Sequence, residues 1–518
     1  MNISWIDLTI LFVYLGAMAC MGLYFAKRNS NTEQYFLGGR SFNGIVIGLS
    51  LVGTSISSIT FLAFPADAFK TSWMRFLTAF MMPVAVFVAS RFFLPFFRKS
   101  NVTSAYEYLE GRFGSSVRLY AASVFIIAQL VRVAIILYLL SLLVYEVTGL
   151  NPVLCVIITG IFVSFYTITG GIDAVIWTDV LQTIVLVAGG ILCLAVIVSK
   201  VPGGMGEIIN TALNHDKLSF SEYIDGNPVA IPWGLSLQKK TISMMFILGI
   251  TSWMTVYCSD QNVVQRYCAS KSIKEARKAM WVSVYSSIPI WAFYMFLGTA
   301  LYVFFYHFPT PETTEMLEGA RKSEQVLPFF IINYLPPGIL GIVIAAAMSA
   351  AMSSLDSNIN AVSTVFIVDI YKRYLAKDKL DKHYLFIARL IAVVVTVIMI
   401  SGAVILLNTE TKTLQDTANI LVSVLTGGML GIYLIGFFSR AGDWRAVWCG
   451  IVCTAVFTLW TVFSGRNLLP QGWNTTFDLY YTGLIGNIVM FVVGFAVALL
   501  LPRHRRNLTN LTVWDMEK

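Results

Sequence analysis

The sequence predicts an all-α integral membrane protein of about 13 transmembrane helices, one of them interrupted. Three observations carry that prediction. Hydrophobic residues make up 57% of the 518 and charged residues only 12%, far from soluble averages. Apolar windows of helix length recur along the whole chain, and about 20 residues suffice to cross the hydrocarbon core. The stretch from Gly44 to Phe69 is long and apolar enough to span, yet it crowds Gly53, Thr54, Ser55, Ser57, Ser58 and Thr60 into its middle and adds Pro65. Interrupted membrane helices of this kind expose backbone carbonyls near the midplane, and a break is tolerated only where protein or a water-filled cavity surrounds it.

The windows fall near residues 4–26, 44–69, 72–97, 117–147, 151–168, 174–199, 242–265, 281–306, 337–366, 384–408, 415–438, 443–464 and 477–501. The first has no basic segment before it and no small-residue cleavage site after it, so Trp5 to Phe25 reads as a retained helix rather than a signal peptide. Alternate loops carry Lys27, Arg28 and Arg40, then Arg98, Lys99, Arg112 and Arg118, then Arg266, Lys271, Lys274, Arg277 and Lys278. Further clusters follow at 372–382, 440–445 and 503–506. Roughly 25 of the 36 Lys and Arg lie on this one side, which the positive-inside rule makes cytoplasmic. The N-terminus is then outside and the C-terminus inside, in a cell (inner) membrane. The net charge of +8 is a matter of topology, not of nucleic-acid binding. The longest outer loop, Val201 to Lys240, reads as an ordinary external loop, and the short tail after the last window leaves no room for a soluble output domain.

Ionisable groups inside a membrane are expensive and point to function. Arg132, in QLVRVAIILYLL, has apolar neighbours on both sides; its guanidinium matches a carboxylate bidentately, or pairs with a structural acid. Asp179 could ligate a cation, carry a proton or anchor a helix entrance. In the 337–366 window, Ser349, Ser353, Asp356, Ser357, Asn360 and Thr364 recur at three- and four-residue steps, so they form one polar stripe. Serine hydroxyls and a carboxylate suit a hard cation such as sodium; a tight small-residue packing face is the alternative. The seven cysteines and four histidines show no metal or catalytic spacing, and no phosphate loop, nucleophile elbow or zinc helix is present. An enzyme is not expected.

TSISSITF, GGIDAVIWTDVLQ, SDQNVVQRYCASKSIKEARKA and AAAMSAAMSSLDSNIN together resemble the sodium:solute symporter family over essentially the whole chain, and within it bacterial sodium-coupled sialic acid transporters. The resemblance implies a leucine-transporter-type fold: an extra N-terminal helix in 1–27, a first inverted five-helix repeat in 44–199, a second in 240–438, and two helices and a tail in 439–518. The 242–265 window should then hold a second broken helix, at Gly249, Thr251 and Ser252. By the same resemblance one sodium maps to Gly53, Ile56, Ala350, Ser353 and Ser354, and a second to Asp179, Ser353, Asp356 and Ser357. A serine is expected where Asp356 stands. An anionic sugar maps to Ser55, Ser57, Thr60 and Arg132, its carboxylate on the last three. At the sugar end the expected glutamine and aromatic residue are Ala79 and Arg75. The implied function is sodium-driven import of an organic anion, sialic acid first, by a monomer in the bilayer. Alternatives are symport of another sugar, sugar acid or monocarboxylate and, from a different class, a channel or a transporter-like sensor.

Overall fold

The computed structural model describes residues 4–99, 102–224, 227–408, 426–470, 472–501 and 507–515. In chain order its principal helices are α1 (Trp5–Ala26), α2 (Gly44–Ser55), α3 (Ser58–Lys70), α4 (Met74–Lys99), α5 (Ser115–Thr148), α6 (Pro152–Lys200), α7 (Ile242–Ser259), α8 (Gln261–Cys268), α9 (Ile273–His307), α10 (Ile339–Val365), α11 (Asp381–Asn408), α12 (Met429–Phe438), α13 (Trp444–Gly465) and α14 (Thr482–Leu500). Ten described helices are long and apolar enough to cross a membrane, and α2 with α3, bent by 58°, make an eleventh span.

The windows 151–168 and 174–199 merge into the 49 residues of α6. Straight, such a helix would be about 74 Å long, more than twice the hydrocarbon thickness of about 30 Å. Gly171 breaks it with φ 57° and ψ −156°, a conformation open to glycine. Tyr166 and Gln182 lie 16 residues apart, yet the Gln182 Nε2 to Tyr166 hydroxyl distance is 3.5 Å. The chain therefore folds back at Gly171, and the two predicted spans stand as a hairpin. The window 415–438 is described over α12; its residues up to 425 lie outside the described residues.

α10 is the centre of the molecule: every residue from Val343 to Val365 is buried. Its alanines and serines let neighbours approach on all sides, and α6 and α1 pack along it. α1 is tied to α10 by polar contacts. The Asp7 carboxylate accepts hydrogen bonds from the Gly338 and Gly341 backbone N–H groups, 2.7 Å each, capping the N-terminus of α10 with the sign its dipole favours.

The 201–240 segment has more structure than a plain loop. It contains a helix at Gly204–Asn214 and an antiparallel hairpin of β1 (Ser221–Ile224) and β2 (Asn227–Ala230). Between them the buried Lys217 donates to the carbonyls of Phe69, Lys70 and Thr71 at 3.0–3.2 Å, holding the C-terminal end of α3. Burial pushes its ammonium down to about 8.

Candidate functional site

The interruption in the first predicted broken span sits where the hydroxyl-rich stretch places it. α2 ends at Ser55, Ile56 is extended (φ −95°, ψ 101°), and α3 begins at Ser58. The last carbonyls of α2 lose their helical partners there. Thr54 and Ser55 turn their hydroxyls back onto the Ser50 and Val52 carbonyls at 3.0 and 2.9 Å. Gly53 has no room for a side chain: a Cβ would lie 3.0 Å from Thr183 Oγ1 and 3.1 Å from the Asp179 carbonyl oxygen.

α10 packs against α2 and α3 beside this break, with Ser357 Oγ 3.4 Å from Thr54 Oγ1. Ser353 reaches its own-helix Ala350 carbonyl only at 3.4 Å, and the buried Ser354 hydroxyl has no partner among the described residues. The Thr183 hydroxyl, beside Gly53, is likewise buried and unpartnered. Buried polar atoms are ordinarily paired. Two unspent oxygens at an interrupted helix are therefore ligands to spare for a hard cation. Thr183 escaped the sequence reading because a threonine on an apolar helix carries no signal of its own.

One turn along, at Ser50 and Ser357, lies a buried charged group. Arg266 Nη2 donates to Asp179 Oδ2 at 2.8 Å and to Ser357 Oγ at 2.6 Å; its Nε donates to Ser50 Oγ at 2.8 Å and its Nη1 to the Asn262 carbonyl at 2.8 Å. Ser50 Oγ also donates to Asp179 Oδ2 at 2.6 Å. Counting Arg266 among the loop charges was therefore wrong, for it is 1% exposed. Asp356 accepts from the Tyr166 hydroxyl at 2.9 Å, and Ser357 Oγ lies 3.3 Å from Asp356 Oδ1. Asp179 Oδ1 is buried without a partner among the described residues. Two carboxylates face one guanidinium, so the group is one positive charge short when both are ionised.

The predicted stripe on α10 divides into three. Ser349 donates to the Tyr14 hydroxyl of α1 at 2.8 Å. Asn360 and Thr364 accept from Gln265 Nε2 of α8 at 2.8 and 3.1 Å. The ends of the stripe are thus packing contacts, and its middle, Ser353 to Ser357, meets the break and the charged group.

Of the residues expected around a substrate, Ser57 and Thr60 are buried at the start of α3, and Ser55 is half-buried with its Oγ 3.5 Å from Ser287 Oγ of α9. Arg132 is exposed on α5 and makes no ion pair among the described residues, so the structural acid that would explain it is not found there. Arg75 is bound to Asp67 of α3 and lies over the Phe64 ring at 5.9 Å. Ala79 is buried and brings no polar group.

The expected break at Gly249, Thr251 and Ser252 does not occur. α7 is continuous to Ser259, and the chain turns at Asp260 (φ −81°, ψ 115°) before α8. Thr251 and Thr255 bond back to the Ile247 and Thr251 carbonyls at 2.9 and 2.8 Å, within the helix. Gly249 serves close packing instead: its absent Cβ would fall 2.6 Å from the Thr78 carbonyl oxygen.

Comparison with known proteins bears on what such a site serves. The model of the sodium:solute symporter family matches residues 35–453. The chain is 31% identical to the sodium/sialic acid symporter SiaT of Proteus mirabilis, over 96% of this chain and 95% of that one. It is 28% identical to the human sodium-coupled monocarboxylate transporter 1, over 89% of this chain and 75% of the relative. Among solved structures, the substrate-bound outward-open state of a sodium-coupled sialic acid symporter superposes with a TM-score of 0.86 at 30% identity, covering 97% of this chain and all of that one.

Proposed function

The chain belongs to the sodium:solute symporter family, and from that premise we propose that it imports an organic anion, sialic acid first, by alternating access driven by inward sodium. No covalent step is involved. We read residues 44–199 and 240–438 as the two inverted repeats, the basic loops as cytoplasmic in an inner membrane, and the working unit as a monomer.

The reading of the site is supported by the buried Ser354 hydroxyl of α10, unpartnered among the described residues, and by the 3.4 Å approach of Ser357 Oγ on the same helix to Thr54 Oγ1 at the end of α2. One sodium is assigned there, to the Gly53, Ile56 and Ala350 carbonyls and the Ser353 and Ser354 hydroxyls, with Thr183 Oγ1 added to the set. The charge deficit around Asp179, Asp356 and Ser357 supports a second cation beside Ser353. Ser57, Thr60 and Arg132 take the substrate carboxylate, a role supported by an Arg132 guanidinium that makes no ion pair among the described residues; Ser55 and Arg75 flank the remainder. Sodium at the junction of α2 and α10 orders the broken helix and raises substrate affinity, and substrate must raise sodium affinity by the same factor. Each sodium entering down a 100 mV potential adds about 2.3 kcal/mol. A singly charged anion offsets one of them, so electrogenic uptake needs two.

The testing experiment is N-acetylneuraminate binding to purified protein, in sodium and then in potassium. Binding only in sodium is expected; binding of equal strength in potassium overturns the coupling. Ser354→Ala should weaken sodium activation, and Arg132→Ala should abolish uptake, with normal uptake removing Arg132 from the pocket. A monocarboxylate substrate is the second reading, supported by the human relative and by the apolar Ala79. Tighter binding of pyruvate than of N-acetylneuraminate would establish it.

A further inference from the structure

α9 passes the helix break at Ser287, whose Oγ is 3.5 Å from Ser55 Oγ. One turn further along the same face stands Trp291. Its ring stacks on Trp253 of α7, with centroids 5.2 Å apart and planes at 25°, and meets Phe64 of α3 at 6.4 Å. Three aromatic rings from three helices thus form a wall beside the break, on the flank where Arg75 lies over Phe64.

The two indoles differ in how their N–H groups are used. That of Trp253 donates to the Thr78 carbonyl at 3.1 Å. Trp291 is 3% exposed, and its Nε1 has no acceptor among the described residues. An unsatisfied buried donor is unfavourable, and one that persists calls for a partner to account for it. Ser287, Trp291, Trp253 and Phe64 are not used by the sodium or carboxylate contacts argued above.

We propose that Trp291 is a specificity-determining residue of the substrate site. Its indole N–H donates a hydrogen bond to a hydroxyl or carbonyl oxygen on the substrate, at the end remote from the carboxylate, while Trp253 and Phe64 hold the apolar face of the same part. The preferred substrate is then a hydroxylated sugar acid large enough to reach both Arg132 and this wall. Pyruvate, whose only other oxygen sits on the carbon next to its carboxylate, makes one of the two contacts and not the other. A site built to bond a substrate oxygen discriminates strongly against compounds lacking it, since its own polar group is left unpaired. This inference rests on the reading of the protein as an importer of organic anions.

The test uses the full-length protein in sodium and measures calorimetric binding of N-acetylneuraminate and of pyruvate to wild type and to Trp291→Phe, which keeps a ring and loses the N–H. Sodium-induced thermal stabilisation without substrate reports that the variant is folded and its cation site intact. The expected result is about a tenfold loss of N-acetylneuraminate affinity, with pyruvate binding and the sodium response unchanged. Unchanged N-acetylneuraminate affinity in Trp291→Phe overturns the proposal. A measurement on wild type alone gives the same decision. Among analogues of N-acetylneuraminate each lacking one oxygen away from the carboxylate, one should bind about tenfold more weakly; equal affinity for all of them overturns it. If wild type responds to sodium but binds no sugar acid, the broader reading of function falls, and this inference with it.

Discussion

The chain turns between two helices at Ile56, after α2, and at Asp260, after α7, and the two corners are partnered differently. At Asp260, between α7 and α8, the carbonyls at the helix end are partnered, and one amide oxygen, Asn262 Oδ1, is buried without a partner among the described residues. The Tyr106 and Tyr267 hydroxyls donate to the Ser259 and Tyr257 carbonyls at 3.1 and 2.9 Å, and the Asp260 carboxylate accepts from the Asn262 N–H at 2.8 Å. Near Ile56 and Ser57, between α2 and α3, Thr183 beside Gly53 and Ser354 on α10 have buried hydroxyls unpartnered among the described residues. The corner at Asp260 ties its helix-end carbonyls to tyrosine hydroxyls, whereas the one at Ile56 and Ser57 lies near two hydroxyls left unpaired among the described residues.

That contrast can be broken or sharpened by four substitutions. Arg266→Ala should have the largest effect, because it strands the Asp179 carboxylate directly beneath the first break. A loss of about 3–5 kcal/mol is expected in denaturant unfolding of the solubilised protein, and a loss under 1 kcal/mol would mean that the pair contributes little there. Gly249→Ala comes next. If this glycine serves packing, the new methyl meets the Thr78 carbonyl and stability falls by about 1–3 kcal/mol; if it were a hinge, stability would hold and the sodium dependence of uptake would change. Tyr106→Phe and Ser354→Ala form a matched pair. The first uncovers the Ser259 carbonyl and should destabilise by about 1 kcal/mol in any salt. The second should change little in potassium and remove the stabilisation that sodium confers on wild type. Equal behaviour of the two in both salts would erase the distinction between the breaks.

The smallest effect concerns the C-terminal end of α3. Lys217 has a free value of 10.5 and is lowered by burial to about 8. Between those values the unfolded chain holds a proton that the folded chain has released, so stability rises with pH across that window. Lys217→Met should flatten the rise in thermal unfolding midpoint from pH 8 to 10, and an unchanged slope would show that another group titrates there.

Much of this architecture was legible because a membrane leaves few options. Apolar windows become helices, and the count of windows anticipated even the hairpin at Gly171 that joins two spans into one continuous run. The break at Ile56 was legible too, since hydroxyls and a glycine gather there in a density that plain packing does not need. Gly249, Thr251 and Ser252 looked similar and misled, because small and hydroxyl residues also let helices approach and bond back to their own turn. The cap at Asp260, in SDQN, was the better signal for a helix restart. Arg266 was misassigned because a single charge near basic neighbours reads as loop, and only the folded chain shows the buried Asp179 that it meets. Thr183 and Trp291 were invisible for the same reason: an unpaired hydroxyl or N–H is a property of surroundings, not of sequence.

The cap that Asp7 places on α10 has a consequence for how the protein is made. Its two partners, Gly338 and Gly341, follow it by 331 and 334 residues. At a synthesis rate of roughly 5–20 residues per second, on the order of tens of seconds separate the emergence of the carboxylate from that of the N–H groups it will bind. α1 therefore enters the bilayer with one end unfinished, and its docking is an event of later assembly, completed only when the chain past Gly341 has left the ribosome.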